Sequence, residues 1–402
     1  MKTKARFTGR HWETGSIHNA LAMQGVKAPH TGKPYSEALL LGISGGIAFG
    51  YFTFEYKGYL PHVAMLTRNT FNPFATTLER LGIVQDLQQT NKAEIAEKNL
   101  QNALDSGLYP LLLADQFSLS YNGLDSNNAM WGMFPILAVE TDGKNVTVVD
   151  RSTQPLQISM ADLTKARGRV KEDKYRLMTL DAPQTTKLAG AVHKGISQAI
   201  ALFTEEPPRG ARDNFGFAAY EKFAEMLVNT RNKHSWERYF APGIRMYHAL
   251  AGSPVQPGAY HWVNTWVSTD GADRGLYADF LDEAAQILKK PGLRDAAESF
   301  RKSHKLWLKF AEALLPEDVP MLGESRNLIQ KKHDLFIEQG DAALPEIRKA
   351  NVRLRELLKE SETNFPLSQP QAAEFRATLR EIVLKISAVE QQAIDLLQSA
   401  IM

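Results

Sequence analysis

Hydrophobic periodicity changes character near residue 170, and that change restricts the chain to a mixed fold followed by a helical one. Before it, residues 47–54, 109–114 and 134–139 are rich in aromatic or branched side chains and read as strands. Asp142-Gly143 stands between the third of these and the run 146–151, predicting a β-hairpin with Asp-Gly at its tip. Ile95, Leu100 and Leu104 give residues 91–104 helical spacing, and Ile17, Leu21 and Gln24 do the same for residues 14–24. The first half is therefore expected to be α+β with an antiparallel sheet. From about Pro183 helical patterns dominate. One amphipathic helix covers residues 277–288 and stops at Pro291-Gly292, and a second passes Phe300, Leu306, Trp307 and Phe310 before Pro316.

The last stretch repeats apolar residues in steps of four and three at Phe375, Leu379, Ile382, Ile386, Val389, Ala393 and Leu396. Its expected partner is the Ile347, Leu354, Leu358 face, reached across the turn at Asn364-Phe365-Pro366, giving a C-terminal helical hairpin. Packing inside the chain is the expected use of this stripe; a homo-oligomer through the same helices is the alternative. Length and these shifts divide the chain into residues 1–170, a helical domain at 171–320, and a C-terminal helical extension at 321–402.

Composition narrows the chemistry. A formal charge of +2 is too small to argue for nucleic acid or an anionic membrane as partner. The longest apolar run, Leu39-Leu40-Leu41-Gly42-Ile43, is far shorter than a membrane span. The start Met1-Lys2-Thr3-Lys4-Ala5-Arg6 is basic but no apolar segment follows, so a cytoplasmic protein without a secretion signal is expected. Zero cysteines exclude disulfides, thiolate zinc sites and thiol catalysis together. The histidines show no metal-binding spacing, and no metal or cofactor is expected. Gly42-Ile43-Ser44-Gly45-Gly46 lacks the Lys-Ser/Thr of a phosphate loop; its glycines are expected to allow close backbone approach beside the first helix.

Several short motifs occur in a telling order: His11-Trp12-Glu13-Thr14, then Ser36-Glu37-Ala38-Leu39-Leu40, Phe49-Gly50-Tyr51-Phe52, Trp131-Gly132-Met133, Asp150-Arg151, and the helix beginning Gly275-Leu276-Tyr277. Together they resemble the butirosin biosynthesis protein H family over roughly residues 7 to 315. The resemblance implies a papain-like N-terminal domain followed by a helical one. It also implies enzymes that move an acyl group from an acyl carrier protein to an amine in natural-product assembly.

In that family the nucleophile motif is His-Cys-x-Ser/Thr, which places the cysteine on Trp12. The catalytic histidine falls on Met133, and the carboxylate on Asp150. An indole cannot attack an acyl group, and a thioether cannot take a proton at neutral pH. The resemblance thus implies a catalytically altered member that keeps an acyl or peptide-like binding cleft, acting as a binding or scaffolding subunit beside an acyl carrier protein or an active paralogue. The alternative is a non-thiol acyltransferase or amide hydrolase, with Ser16 or Thr14 activated by His11 or His18, or with Glu13 and Glu37 as an acid–base pair. The simpler expectation is that the two hydroxyls and Glu13 serve the start of the first helix, and that Glu37 is a buried hydrogen-bond acceptor. Candidate ligand contacts are Trp12, Glu37, Trp131, Trp262, Trp266 and Arg274, the last three as an aromatic wall and a cation lining a cleft. Core packing is their bland alternative.

Overall fold

The computed structural model describes residues 7–124, 130–266 and 269–402; the basic start at residues 1–6 lies outside them. The chain opens with α1 (Thr14–Met23), α2 (Glu37–Ile43), β1 (Ile47–Phe54), β2 (His62–Arg68), α3 (Pro73–Leu81), β3 (Gln85–Gln88), α4 (Ala93–Asp105) and β4 (Leu111–Asp115). Next come β5 (Met133–Thr141), β6 (Asn145–Val149), β7 (Leu156–Ser159), α5 (Met160–Arg167) and β8 (Leu177–Leu180). The remainder is helical: α6 (Leu188–Thr204), α7 (Gly216–Val228), α8 (Trp236–Tyr239), α9 (Ile244–Ala251), α10 (Ala259–Asn264), α11 (Arg274–Leu288), α12 (Leu293–Leu314), α13 (Pro320–Gln339), α14 (Leu344–Glu360) and α15 (Gln369–Ile401). The α+β class and its antiparallel sheets are as the periodicity indicates. Among the described residues no helix is long and apolar enough to cross a membrane.

Two compact units form, and neither is continuous in sequence. The first holds the described residues of Met1–Leu40, Phe74–Leu188 and Lys332–Lys349. Its sheet has six strands in the order β3-β8-β4-β5-β6-β7, every pair antiparallel. Alternation sets which residues go inward: Leu112 and Ala114, Ile136 and Ala138, and Val146 and Val148 are all buried on one core. Leu100, Leu163 and Ala166 close that core from α4 and α5, and Phe336, Ala343 and Ile347 return to it from late in the chain. Helix α1 is buried from Thr14 through Leu21, polar residues included, so each of those polar groups needs a partner.

The second unit holds the described residues of Leu41–Pro73, Ala189–Lys331 and Ala350–Met402. Strand β1 lies here, paired with β2 in a two-stranded sheet and bridged at Gly50 to Phe215, and so takes no part in the six-stranded sheet. The glycine-rich stretch serves this unit as well, which corrects its expected place beside α1. A Cβ on Gly42 would sit 2.2 Å from the Phe280 ring of α11, and one on Gly195 of α6 would sit 2.2 Å from the Gly42 carbonyl oxygen. Gly42→Ala is therefore expected to lower stability by about 1–3 kcal/mol, read as a fall in the thermal midpoint; an unchanged midpoint would mean that Phe280 yields freely.

The long C-terminal helix corrects the hairpin expectation. Helix α15 packs chiefly on α12 and α7. Its buried stripe is Ala372, Arg376, Leu379, Val383, Ile386, Glu390, Ala393 and Leu397, with Ile394 beside it. Two of those stripe positions are charged, so a search for apolar repeats shares only Leu379, Ile386 and Ala393 with the true one. Arg376 reaches Glu237 at 3.3 Å. Glu390 pairs with Arg274 at 2.7 Å, both side chains being 0% exposed. Intrachain packing uses this face, as expected.

Candidate functional site

The segment before α1 is shaped by backbone contact and one carboxylate. Gly9 and Gly15 approach so closely that a Cβ on Gly9 would lie 2.3 Å from the Gly15 carbonyl oxygen. Glu37, at the start of α2, accepts from the backbone N–H of Arg10 at 2.6 Å and of His11 at 2.8 Å. It also accepts the Thr14 hydroxyl at 3.0 Å. This carboxylate organises the turn and has its lone pairs engaged, as the acceptor reading of Glu37 anticipates. Glu13 is the N-cap residue of α1 and makes no side-chain cap bond. Its N–H lies 3.3 Å from His11 Nδ1.

Trp12 sits in that turn and is 1% exposed. Its indole stacks on Phe134 with centroids 4.3 Å apart and an interplanar angle of 20°. The Arg151 guanidinium lies over the same indole at 4.7 Å and over the Phe336 ring at 4.8 Å. Buried cation–π contacts of this kind stabilise by up to about 2 kcal/mol each. Arg151 adopts a left-handed φ of 45°, in a tight turn closed by the Ser152 N–H donating to the Asp150 carbonyl. Such a backbone in a bulky residue is held only by its surroundings.

Those surroundings include Asp150, whose carboxylate accepts from Arg151 at 2.8 and 3.0 Å and from the Tyr121 hydroxyl at 3.2 Å. Burial works against the Arg151 charge, but Asp150 outweighs it and raises the guanidinium pKa. Burial and the Asp150 charge push the Tyr121 phenol well above its usual value. His333 is pushed down to about 4, first by burial; Asp334 opposes the shift, while Arg151, Lys332 and Arg10 add repulsion. Burial lowers the Lys332 ammonium to about 8.

The strand residue that meets Trp12 is Phe134; successive side chains of β5 alternate, which turns Met133 toward the opposite face. The ring stacked on Trp12 is thus a phenyl, one step along β5 from the thioether. Ser16 is buried and donates to the Pro135 carbonyl at 2.8 Å, which directs its proton at a carbonyl oxygen. His18 does not serve Ser16 or Thr14 either. Its Nδ1 lies 2.6 Å from the Tyr35 carbonyl oxygen and its Nε2 lies 2.7 Å from the Thr8 hydroxyl.

The candidate ligand set divides between the units. Trp12, Glu37 and Trp131 belong to the first, where Trp131 is 60% exposed. Trp262, Trp266 and Arg274 belong to the second. Trp262 donates its indole N–H to the Val63 carbonyl at 3.0 Å. Arg274 is no ligand cation: it donates to Glu390 and to the carbonyls of Thr67, Ala272 and Ala48, all within 3.0 Å. The bland reading of Arg274 holds. Among the described residues, no group of three His, Asp or Glu side chains is placed to hold a metal.

Sequence reasoning passed over Phe134, Tyr121, Phe336 and Thr8. Phe134 and Thr8 were within reach, since each neighbours a motif; Phe336 gives no local signal, being far along the chain from Trp12. No curated protein matches the chain. Residues 11–151 match the family described as butirosin biosynthesis protein H, N-terminal. That segment, which carries α1, the start of β5 and the Asp150–Arg151 turn, is similar to the butirosin biosynthesis protein H family's N-terminal region.

Proposed function

We propose that this chain is a member of its family that has given up thiol acyl transfer at position 12 and acts as a binding or scaffolding subunit in acyl transfer. The observation that carries this reading is the filled site: Trp12 is 1% exposed and stacked on Phe134. Arg151 covers the indole and at the same time occupies Asp150. A carboxylate so engaged is not free to orient a base, and a buried indole stands at position 12. The filled site favours scaffolding over an acyl ligand at Trp12.

A papain-like character of the first compact unit is part of this reading. Its support is the start of α1 abutting the start of β5 in an antiparallel sheet, the places that the family gives to nucleophile and base. The partner we infer is an acyl carrier protein or an active paralogue. The cations Arg10, Arg151 and Lys332 gather near His333, opposed by Asp334, and suit an acidic protein surface.

The test is an assay of the purified chain with an acylated carrier protein. Association without turnover is expected, and Lys332→Glu should weaken it, chiefly by slowing the on-rate at low salt. Sustained thioester turnover well above the uncatalysed rate would overturn the reading.

A further inference from the structure

We propose that Thr8, His18 and the Tyr35 carbonyl form a second nucleophilic site, in which the Thr8 hydroxyl takes an acyl group from an activated carboxylic ester or thioester. The chemistry follows from the direction of two hydrogen bonds. A carbonyl oxygen only accepts, so the 2.6 Å contact to Tyr35 puts the His18 proton on Nδ1. In the neutral ring Nε2 then carries a lone pair, and the Thr8 hydroxyl, 2.7 Å away, must donate to it. Nucleophile, base and orienting acceptor are in line, each within hydrogen-bond reach of the next.

Exposure separates Thr8 from the other hydroxyls of this segment. His18 is buried on α1, whereas Thr8 is exposed, and among the described residues its hydroxyl bonds only to His18. Thr14 and Ser16 are buried and donate to a carboxylate and a carbonyl. The Thr8 backbone is pinned on both sides. Phe7 N–H donates to the Thr153 carbonyl at 3.3 Å, and Gly9 N–H donates to Asn19 Oδ1 at 3.2 Å. The hydroxyl is therefore presented to solvent from a fixed loop against a fixed imidazole.

In the step itself, the Thr8 Oγ forms a bond to the acyl carbon and its proton passes to His18 Nε2. The tetrahedral intermediate collapses by breaking the bond to the leaving thiolate or phenolate, which takes that proton. The product is an ester on Thr8. This goes beyond the reading of the Trp12 site, because it uses neither the indole nor Asp150.

The experiment treats the full chain with p-nitrophenyl acetate and follows phenolate release, intact mass and peptide mapping. One acetyl group on Thr8 is expected. Thr8→Ser should retain the label and Thr8→Ala should lose it, the exposed position leaving the fold intact by circular dichroism. His18→Gln should slow labelling by about 100-fold or more, the usual contribution of a general base. No adduct, an adduct only on lysines, or Thr8 labelling at an unchanged rate in His18→Gln would overturn the proposal. Thioester turnover by Thr8→Ala would count against the Trp12 reading alone, so the two fail separately.

Discussion

Glu390→Ala is expected to cost the second unit about 3–5 kcal/mol, the usual loss when one partner of a buried ion pair is removed. Glu390 is fully buried and accepts from Arg274, from the Tyr220 hydroxyl at 2.8 Å, from Ser303 at 2.6 Å and from the Trp307 indole at 3.0 Å. Without the carboxylate, the Arg274 charge stays in the core with its remaining bonds to carbonyls and a phenol, none of which can neutralise it. Urea unfolding followed by tryptophan fluorescence measures the loss, with Trp307 as a local reporter. A double change, Glu390→Leu with Arg274→Met, should recover much of it, because a buried pair stabilises little over well-packed apolar residues. A loss below about 1 kcal/mol for Glu390→Ala would mean that water reaches Arg274.

The same carboxylate gives a pH dependence. Burial raises the Glu390 pKa, but Arg274, Ser303 and Trp307 outweigh it and hold the group below its usual range. The unfolded chain then binds the proton more readily than the folded one. The contribution is present in full above the unfolded value of about 4.3 and fades as pH falls through the lower folded value. The stability gap between the wild type and Glu390→Gln should therefore narrow on acidification below that point. A gap that widens would reverse the sign and contradict the pairing.

Trp12→Ala should be comparably costly to the first unit, about 3–5 kcal/mol for a buried indole. The cavity would open against Phe134 and remove one of the two rings under Arg151. A nearly neutral Trp12→Ala would show that the indole is a loose plug. Trp12→Cys adds a chemical readout, since the chain has no other cysteine. Adding Phe134→His should place an imidazole opposite the thiol and speed its alkylation by iodoacetamide at neutral pH by at least about 10-fold. Adding Met133→His instead should leave the rate unchanged, because that side chain faces away. The reverse result would restore residue 133 to the base position.

Local signals carried the reading where structure is local. The spacing of Ile17 and Leu21 gave α1, Asp142-Gly143 gave the β5–β6 hairpin, and the helix through Trp307 ended before Pro316 as its proline required. What meets Trp12 was not legible in the motif. A strand reverses its facing at every step, so Phe134 stacks on the indole while its neighbour Met133 turns away. The α15 stripe failed for another reason. Periodicity was sought in apolar residues, and Arg376 and Glu390 occupy inward positions because each has an opposite charge waiting on another helix.

By itself the sequence determined the α+β class, the absence of every thiol, and the likeness of residues 11–151 to the butirosin biosynthesis protein H family. These follow from composition, short periods and motif order, all readable along the chain. Only the tertiary structure decided that Trp12 is stacked on Phe134 and covered by Arg151, that Arg274 is spent on Glu390, and that His18 turns to Thr8. Each of those outcomes depends on residues 10 to 139 positions apart. A buried charge or a stacked ring is fixed by whichever partner the fold delivers, and that partner has no signature in the neighbouring sequence.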